Sequence, residues 1–356
     1  MIYKQAKEER KEPSESIRDA LDAVKPKPMS VLSKERFFKQ NVSEIKCEPL
    51  LFNSKLFKHL PIRKEDVENK LSVFVDRSGN AVTMELLGLT AHGRSFFLNV
   101  KFSDRFGNVY NYIDIKGAGM HEKEWHETIR VYGYDEDIGG LLNYDDAKID
   151  WDMSNLFLRN RIRTSAPIAM GRVEEIIFAG GKRPSMKDLR MQGWIPPYVE
   201  EEYQRIKYVP VIYIRGFSEI MRLQDAEKED YERFANAHGM TLVEYRDWWI
   251  EEVAKNLARM HNLGKAHNAL NVHNLTLDGC IVDHDAVKSF SKSQDAWMFS
   301  NEISNSAGIL GGFTRRLGYS SDYEVPNEKL FLEKYFENRT NITERQLSTV
   351  YAQFRY

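Results

Sequence analysis

The chain has 356 residues, 42% hydrophobic and 29% charged, with a formal net charge of −2 at pH 7. That is enough apolar material for one large two-lobed domain or two ordinary ones, and there is no global basic excess to suggest DNA as a partner. The two cysteines, Cys47 and Cys280, make neither a disulfide framework nor a zinc site.

Residues 1–70 are charged and interrupted by Pro13, Pro26, Pro28, Pro49 and Pro61. They read as an extension with short helices, Ser14 to Val24 among them, wrapping the body. The opening residues, with Lys4, Lys7, Glu8, Glu9, Arg10, Lys11 and Glu12, are too charged for a signal peptide. No apolar run reaches transmembrane length, so the expectation is a cytoplasmic protein with no membrane partner.

From residue 71 to 215 the pattern is β-rich. Leu71 to Val75, Ser95 to Phe102 and Val109 to Lys116 alternate like strands, and the turn from Asp104 to Asn108 predicts a hairpin between the last two. A helix is expected over 145–165 and strands over 166–179 and 209–215. Between them, Gly180, Gly181, Pro184, Pro196 and Pro197 predict an irregular insert over 180–207.

Residues 216–356 turn helical. One helix is expected over 225–237. A second, over 241–261, opens with a capping box from Thr241 to Glu244 and carries a core stripe of Leu242, Tyr245, Trp249, Val253, Leu257 and Met260. The region 301–320 holds several Gly and Ser, with helix returning near 327–336. The expected fold class is α+β, a two-lobed protein-kinase-like arrangement: a β-rich N-lobe, a helical C-lobe and an N-terminal extension.

The chemistry concentrates in 267–285. Met260, His261 and Gly264 end the helix, His267 follows, and Asn274 and Asp283 stand nine positions apart, the spacing with which kinase-like folds write their catalytic and metal-binding loops. A short hairpin over 275–282, turning at Asp278 and Gly279, would bring Asn274 and Asp283 onto one Mg²⁺ carrying a nucleotide's phosphates. Asp285 is a candidate second metal ligand. Where ordinary kinases place an Asp base, two positions after the His, this chain has Ala269.

Two further segments suit phosphates. Lys116 ends a strand before Gly117, Ala118 and Gly119, where an ammonium and a flexible turn can meet phosphate oxygens. Arg215 and Arg222 are seven apart; if Phe217 starts a helix, Arg222 follows two turns later, and Arg suits bidentate phosphate contact. Taken singly, each is equally an ordinary turn lysine or surface arginine.

In order and spacing these pieces resemble the selenoprotein O family of kinase-like proteins. That family carries a Leu-Lys-Gly-Ala-Gly strand end, two arginines seven apart, and a His-Gly-Val-Met-Asn-Thr-Asp-Asn loop with an Asp nine residues after the last Asn. Here Ile115 to Gly119 matches the first, Arg215 and Arg222 the second, and His267 to Asp283 the third. Gly93 to Leu98 resembles a further family strand, so the likeness spans about residues 85 to 290.

The resemblance implies a protein that binds ATP in a reversed orientation and transfers AMP to protein hydroxyls. It implies that Lys116, Arg215 and Arg222 hold phosphates, with Asn274 and Asp283 on Mg²⁺. The family's catalytic Asp falls on His273, which leaves two roles open: a general base of suitable pKa, or the mark of a site that binds nucleotide and transfers nothing. The family's helix Glu that pairs with the strand Lys has four candidate equivalents, Asp150, Asp152, Glu174 and Glu175, and residues 120–126 depart from the family pattern altogether. Three functions follow as alternatives: an adenylyltransferase acting on a hydroxyl-bearing protein or small molecule, a phosphotransferase, or an ATP-binding pseudoenzyme.

Overall fold

The computed structural model describes residues 37–60, 62–78, 84–89, 93–121, 139–194, 208–290, 295–320, 322, 324–340 and 342–353. The helix expected at Ser14 to Val24, most of 120–126 and the second half of the 180–207 insert lie outside these residues.

One ten-stranded sheet organises the first half. Its strands are β1 (Phe37–Glu44), β2 (Cys47–Phe52), β3 (Phe57–His59), β4 (Val73–Val75), β5 (Met84–Leu89), β6 (Ser95–Asp104), β7 (Val109–Lys116), β8 (Leu142–Asn143), β9 (Ala166–Val173) and β10 (Pro210–Phe217). The path runs β2-β9-β10-β7-β6-β5-β1-β4, with β3 on β6 and β8 on β10, and its pairings are antiparallel. Helix α1 (Lys64–Asn69) links β3 to β4, and α2 (Tyr144–Arg159) packs on β9 and β10. The expected hairpin is β6–β7. Residues 37–70, read as an extension, supply three strands and α1; Pro49 lies within β2, beside a register shift.

In the 180–207 insert the described part is not wholly irregular. Ser185 accepts the Asp188 amide and caps α3 (Met186–Met191), with Asp188 returning the bond to the Ser185 amide.

The second half is helical: α4 (Lys228–Ala237), α5 (Leu242–Asn262), α6 (Asp295–Arg316), α7 (Glu324–Asn338) and α8 (Glu344–Gln353), with a two-stranded ribbon, β11 (Lys265–Ala266) and β12 (Lys288–Ser289). The mixed α+β class stands. Thr241 caps α5 as its sequence predicts. Tyr245, Trp249, Val253, Leu257 and Met260 are buried, and Trp249 packs on Phe313 with ring centroids 4.1 Å apart. Helix α6 runs through Gly308, Gly311 and Gly312. Each glycine costs about 1 kcal/mol in a helix relative to Ala, whereas Phe299, Ile303, Leu310 and Phe313, buried on one side, each return roughly 1.5–3 kcal/mol. Burial wins.

Candidate functional site

The site begins with the register of two strands. In β7 and β10, Asp114 stands directly opposite Arg215 and Lys116 opposite Tyr213. Residues two apart on a strand share a face, so Asp114 and Lys116 project to the same side. Arg215 Nε and Nη2 donate to Asp114 Oδ2 at 2.8 and 2.6 Å, and both residues are 1% exposed.

The third member arrives from the loop after α5. Leu275 bridges Ile281 and the Thr276 amide donates to the Cys280 carbonyl, making a small hairpin around Asp278 and Gly279. The Val282 amide then donates to the Asn274 carbonyl, which sets Asn274 beside the strand leading to Asp283. His267 fixes that strand from below: its Nε2 lies 3.0 Å from the Val282 carbonyl. A carbonyl only accepts, so Nε2 carries the proton. Asp283 itself adopts the left-handed conformation, φ 60° and ψ 69°, which aims its carboxylate back at the sheet.

There it meets three cations. Asp283 Oδ1 accepts from Lys116 Nζ at 2.9 Å and from Arg215 Nη1 at 2.8 Å, and Oδ2 from Arg222 Nη2 at 3.1 Å. Arg222 also donates through Nη1 to the His273 carbonyl at 2.6 Å, tying the loop's two ends together. It reaches this position without the helix anticipated at Phe217: that residue ends β10, and Arg222 sits on an isolated bridge to Thr276. In the intervening turn, buried Glu219 accepts the Ile220 and Met221 amides, a local arrangement that competes with helix.

Burial alone would push the Asp283 carboxyl up. Lys116, then Arg222 and Arg215, outweigh it and hold the carboxyl well below the ordinary range. Burial presses the Lys116 ammonium down, against the pull of Asp283. So Lys116, Arg215, Arg222 and Asp283 converge, but around a carboxylate supplied by the chain itself.

Of the four acidic candidates for the partner of Lys116, none forms an ion pair with it, a place Asp283 takes; Asp150 of α2 reaches the cluster through Arg215 instead. Its Oδ1 accepts the His284 amide at 2.7 Å, and Oδ2 lies 3.6 Å from Arg215 Nη1. Asp152 instead pairs with Lys148, Glu174 with Arg172, and Glu175 with Arg183. His284 is fully buried, with Nε2 2.6 Å from Thr164 Oγ1, and burial drives its pKa down to about 3, so the ring is neutral.

The Gly117–Gly119 turn serves packing. Both glycines have positive φ, 90° and 88°, and both are buried. A Cβ on Gly117 would meet the Val211 carbonyl oxygen at 2.4 Å, and one on Gly119 the Phe74 ring at 3.0 Å. The Gly117 amide donates to the Arg94 carbonyl, so in this structure that N–H, expected among the nucleotide-binding groups, is engaged within the protein.

His273 is exposed; its amide donates to the Asn271 side-chain oxygen, and its ring makes no hydrogen bond among the described residues. Asn274 donates Nδ2 to the Ala269 carbonyl at 2.9 Å, which leaves Oδ1 as its free ligand atom. Asp285 is at the surface, but the protein packed around its carboxyl keeps water off part of it; that partial desolvation raises the carboxyl, and Asp283 and Asp150 push it further against Lys116. Asp146 of α2 is raised in turn by burial and then by Asp285. No sequence signal marks Asp146: acidic residues in a helix's first turn are ordinary dipole partners. Among the described residues no three His, Cys, Asp or Glu side chains converge as a ready-made metal cage, and no helix is long and apolar enough to cross a membrane.

No known protein-family profile matches the chain, and no curated protein does. Among solved structures it is similar to a kinase domain described as a Toxoplasma gondii specific rhoptry antigen, at 12% sequence identity over 75% of this chain and 82% of that one, with a TM-score of 0.32.

Proposed function

We propose that this chain is a Mg-ATP-dependent transferase of kinase-like type that moves AMP onto a hydroxyl of a protein or small-molecule acceptor. The observation that carries the reading is the meeting of Lys116, Arg215 and Arg222, from three segments, on the Asp283 carboxylate. Such a cluster does little for stability alone, since paired buried charges repay little more than their desolvation.

The donor set suits the ligand. Mg²⁺ is usually held by one or two protein carboxylates, with phosphate oxygens and water completing its shell, so Asp283 and the free Asn274 Oδ1 suffice without a protein cage. Bound there, the ion would neutralise phosphate charge. Lys116 and Arg222 would exchange one anion, Asp283, for another, phosphate. Arg215 would stay where it is, holding Asp114. Ala269 offers an acceptor hydroxyl no carboxylate, which disfavours γ-phosphoryl transfer of the ordinary kinase kind; His273, exposed on the same loop, is the remaining base.

A second reading, binding without transfer, is favoured by that same exposure, because nothing orients the imidazole. One experiment separates the readings: purified protein with Mg²⁺ and ATP labelled on the α- or the γ-phosphate, scored for label on the protein and for Mg-ATP binding by calorimetry. Incorporation of α-label supports AMP transfer, and γ-label replaces it with phosphotransfer. Binding without either label leaves a pseudoenzyme, and no binding removes the nucleotide reading entirely.

A further inference from the structure

A second basic site lies away from Asp283, where the C-terminal end of α2 meets the β6–β7 turn. A cavity of about 560 Å³ opens there, within the range of small-molecule sites. Leu158 and Ile162, 2% and 1% exposed, are its apolar base, and Phe106, 43% exposed, stands at its edge. Three arginines line it: Arg159, Arg161 and Arg163. Arg163 is neutralised by Asp278 at 2.9 Å and Glu252 at 3.8 Å. Arg159 and Arg161 are exposed and have no carboxylate partner among the described residues.

The backbone at Arg161 is an independent observation. Helix α2 ends in a paired-bond turn, with the Arg161 amide donating to Leu158 and the Ile162 amide to Phe157. That motif wants a left-handed residue, usually Gly, at its turning point. Here the position is Arg161, at φ 59°, so a charged side chain occupies a conformation that costs an L-residue strain. The helix's negative end offsets only about half an elementary charge, against two whole guanidinium charges.

We propose that this cavity binds a small organic phosphomonoester with a flat apolar body. Two free guanidinium groups match the charge of a phosphomonoester, which is close to −2 at neutral pH, and their planar donor forks fit its oxygens. Leu158, Ile162 and Phe106 would take the body. The site is separate from the Asp283 cluster and does not depend on what that cluster binds.

Phenyl phosphate, with inorganic phosphate beside it, is the probe, titrated calorimetrically into the full chain, Arg159→Gln and Arg161→Gly. Phenyl phosphate is expected to bind wild type more tightly than inorganic phosphate. Each substitution should weaken it about tenfold, the usual scale for one lost charge-assisted bond. Arg161→Gly should at the same time raise the melting temperature, because glycine relieves the left-handed strain; a purely structural arginine would not trade stability against binding. Unchanged phenyl phosphate affinity in both variants overturns the proposal, as does equal binding of the two probes.

Discussion

Lys116 Nζ lies 2.9 Å from Asp283 Oδ1, although 167 positions separate the two residues. The contact joins the end of β7 to the loop after α5, and therefore the sheet to the helical half. Because Asp283 is the one anion shared by Lys116, Arg215 and Arg222, the partners are not equivalent. Asp283→Asn leaves three mostly buried cations facing each other, and should destabilise by roughly 3 kcal/mol, the low end for an orphaned buried charge because Asp283 keeps some exposure. Lys116→Met leaves Asp283 two partners and should cost clearly less. Denaturant unfolding of the two variants measures the order; an Asp283→Asn protein within about 0.5 kcal/mol of wild type would refute the shared-anion account.

Arg215 is expected to behave as a structural tie more than a ligand residue. Arg215→Met abandons Asp114 in the core and should cost about 3–5 kcal/mol. Arg215→Lys should recover little, since one ammonium cannot reproduce the two-nitrogen contact with Asp114 while also reaching Asp283. Adding Asp114→Asn to Arg215→Met should return part of the loss, with a coupling of about 1–3 kcal/mol in the double-mutant cycle. Strict additivity would show that the pair does not act as a unit.

Local pattern made the loop from His267 to Asp283 and helix α5 legible, because a hairpin turn, a capping box and a helical stripe are all short-range signals. Non-local facts were hidden. Nothing near Asp283 in sequence says that its carboxylate occupies the arginines' own binding direction, or that Gly117 backs onto Val211. Asp150 could be singled out from four acids as the one beside Arg215 only once α2 was packed against the turn at His284. Helix α6 was obscured for a different reason: its glycines argue locally against helix, and the burial that overrides them comes from α7 and α8 and from Trp249 of α5.

His273 separates an enzyme from a binding protein. If its imidazole is the general base, His273→Ala should lower the transfer rate by about 10²–10⁴, while Mg-ATP affinity stays near wild type, because the contacts with Asn271 and Arg222 use the His273 backbone. His273→Asp should retain transfer. The α-label assay reads both, and an alanine variant within a few-fold of wild type removes the base role.

Two buried groups should set opposing pH dependences of stability. His284, driven to about 3 by burial, stays neutral in the fold while the unfolded chain protonates it below 6.5; its contribution is complete above that pH and shrinks as pH falls. Glu219, raised to about 8 by burial and then by Asp278 and Asp230 against the Ile220 and Met221 amide bonds, keeps its proton in the fold while the unfolded chain ionises above 4.5; stability therefore falls as pH rises from 4.5 to 8. Each proton contributes a slope of about 1.4 kcal/mol per pH unit. Between pH 4.5 and 6.5 these two slopes oppose each other, and between 6.5 and 8 the His284 slope is gone, so Glu219 should take about 2 kcal/mol from wild type across that upper window. Asp283, whose carboxyl is held low, acts only below 3.8 and does not enter. In Glu219→Gln the amide oxygen can still accept the two backbone bonds. That variant should be flat from pH 6.5 to 8 and should expose the His284 slope below 6.5. Unfolding curves at pH 4.5, 5.5, 6.5 and 8 decide it: if the variant and wild type run parallel through the upper window, Glu219 is not protonated in the fold.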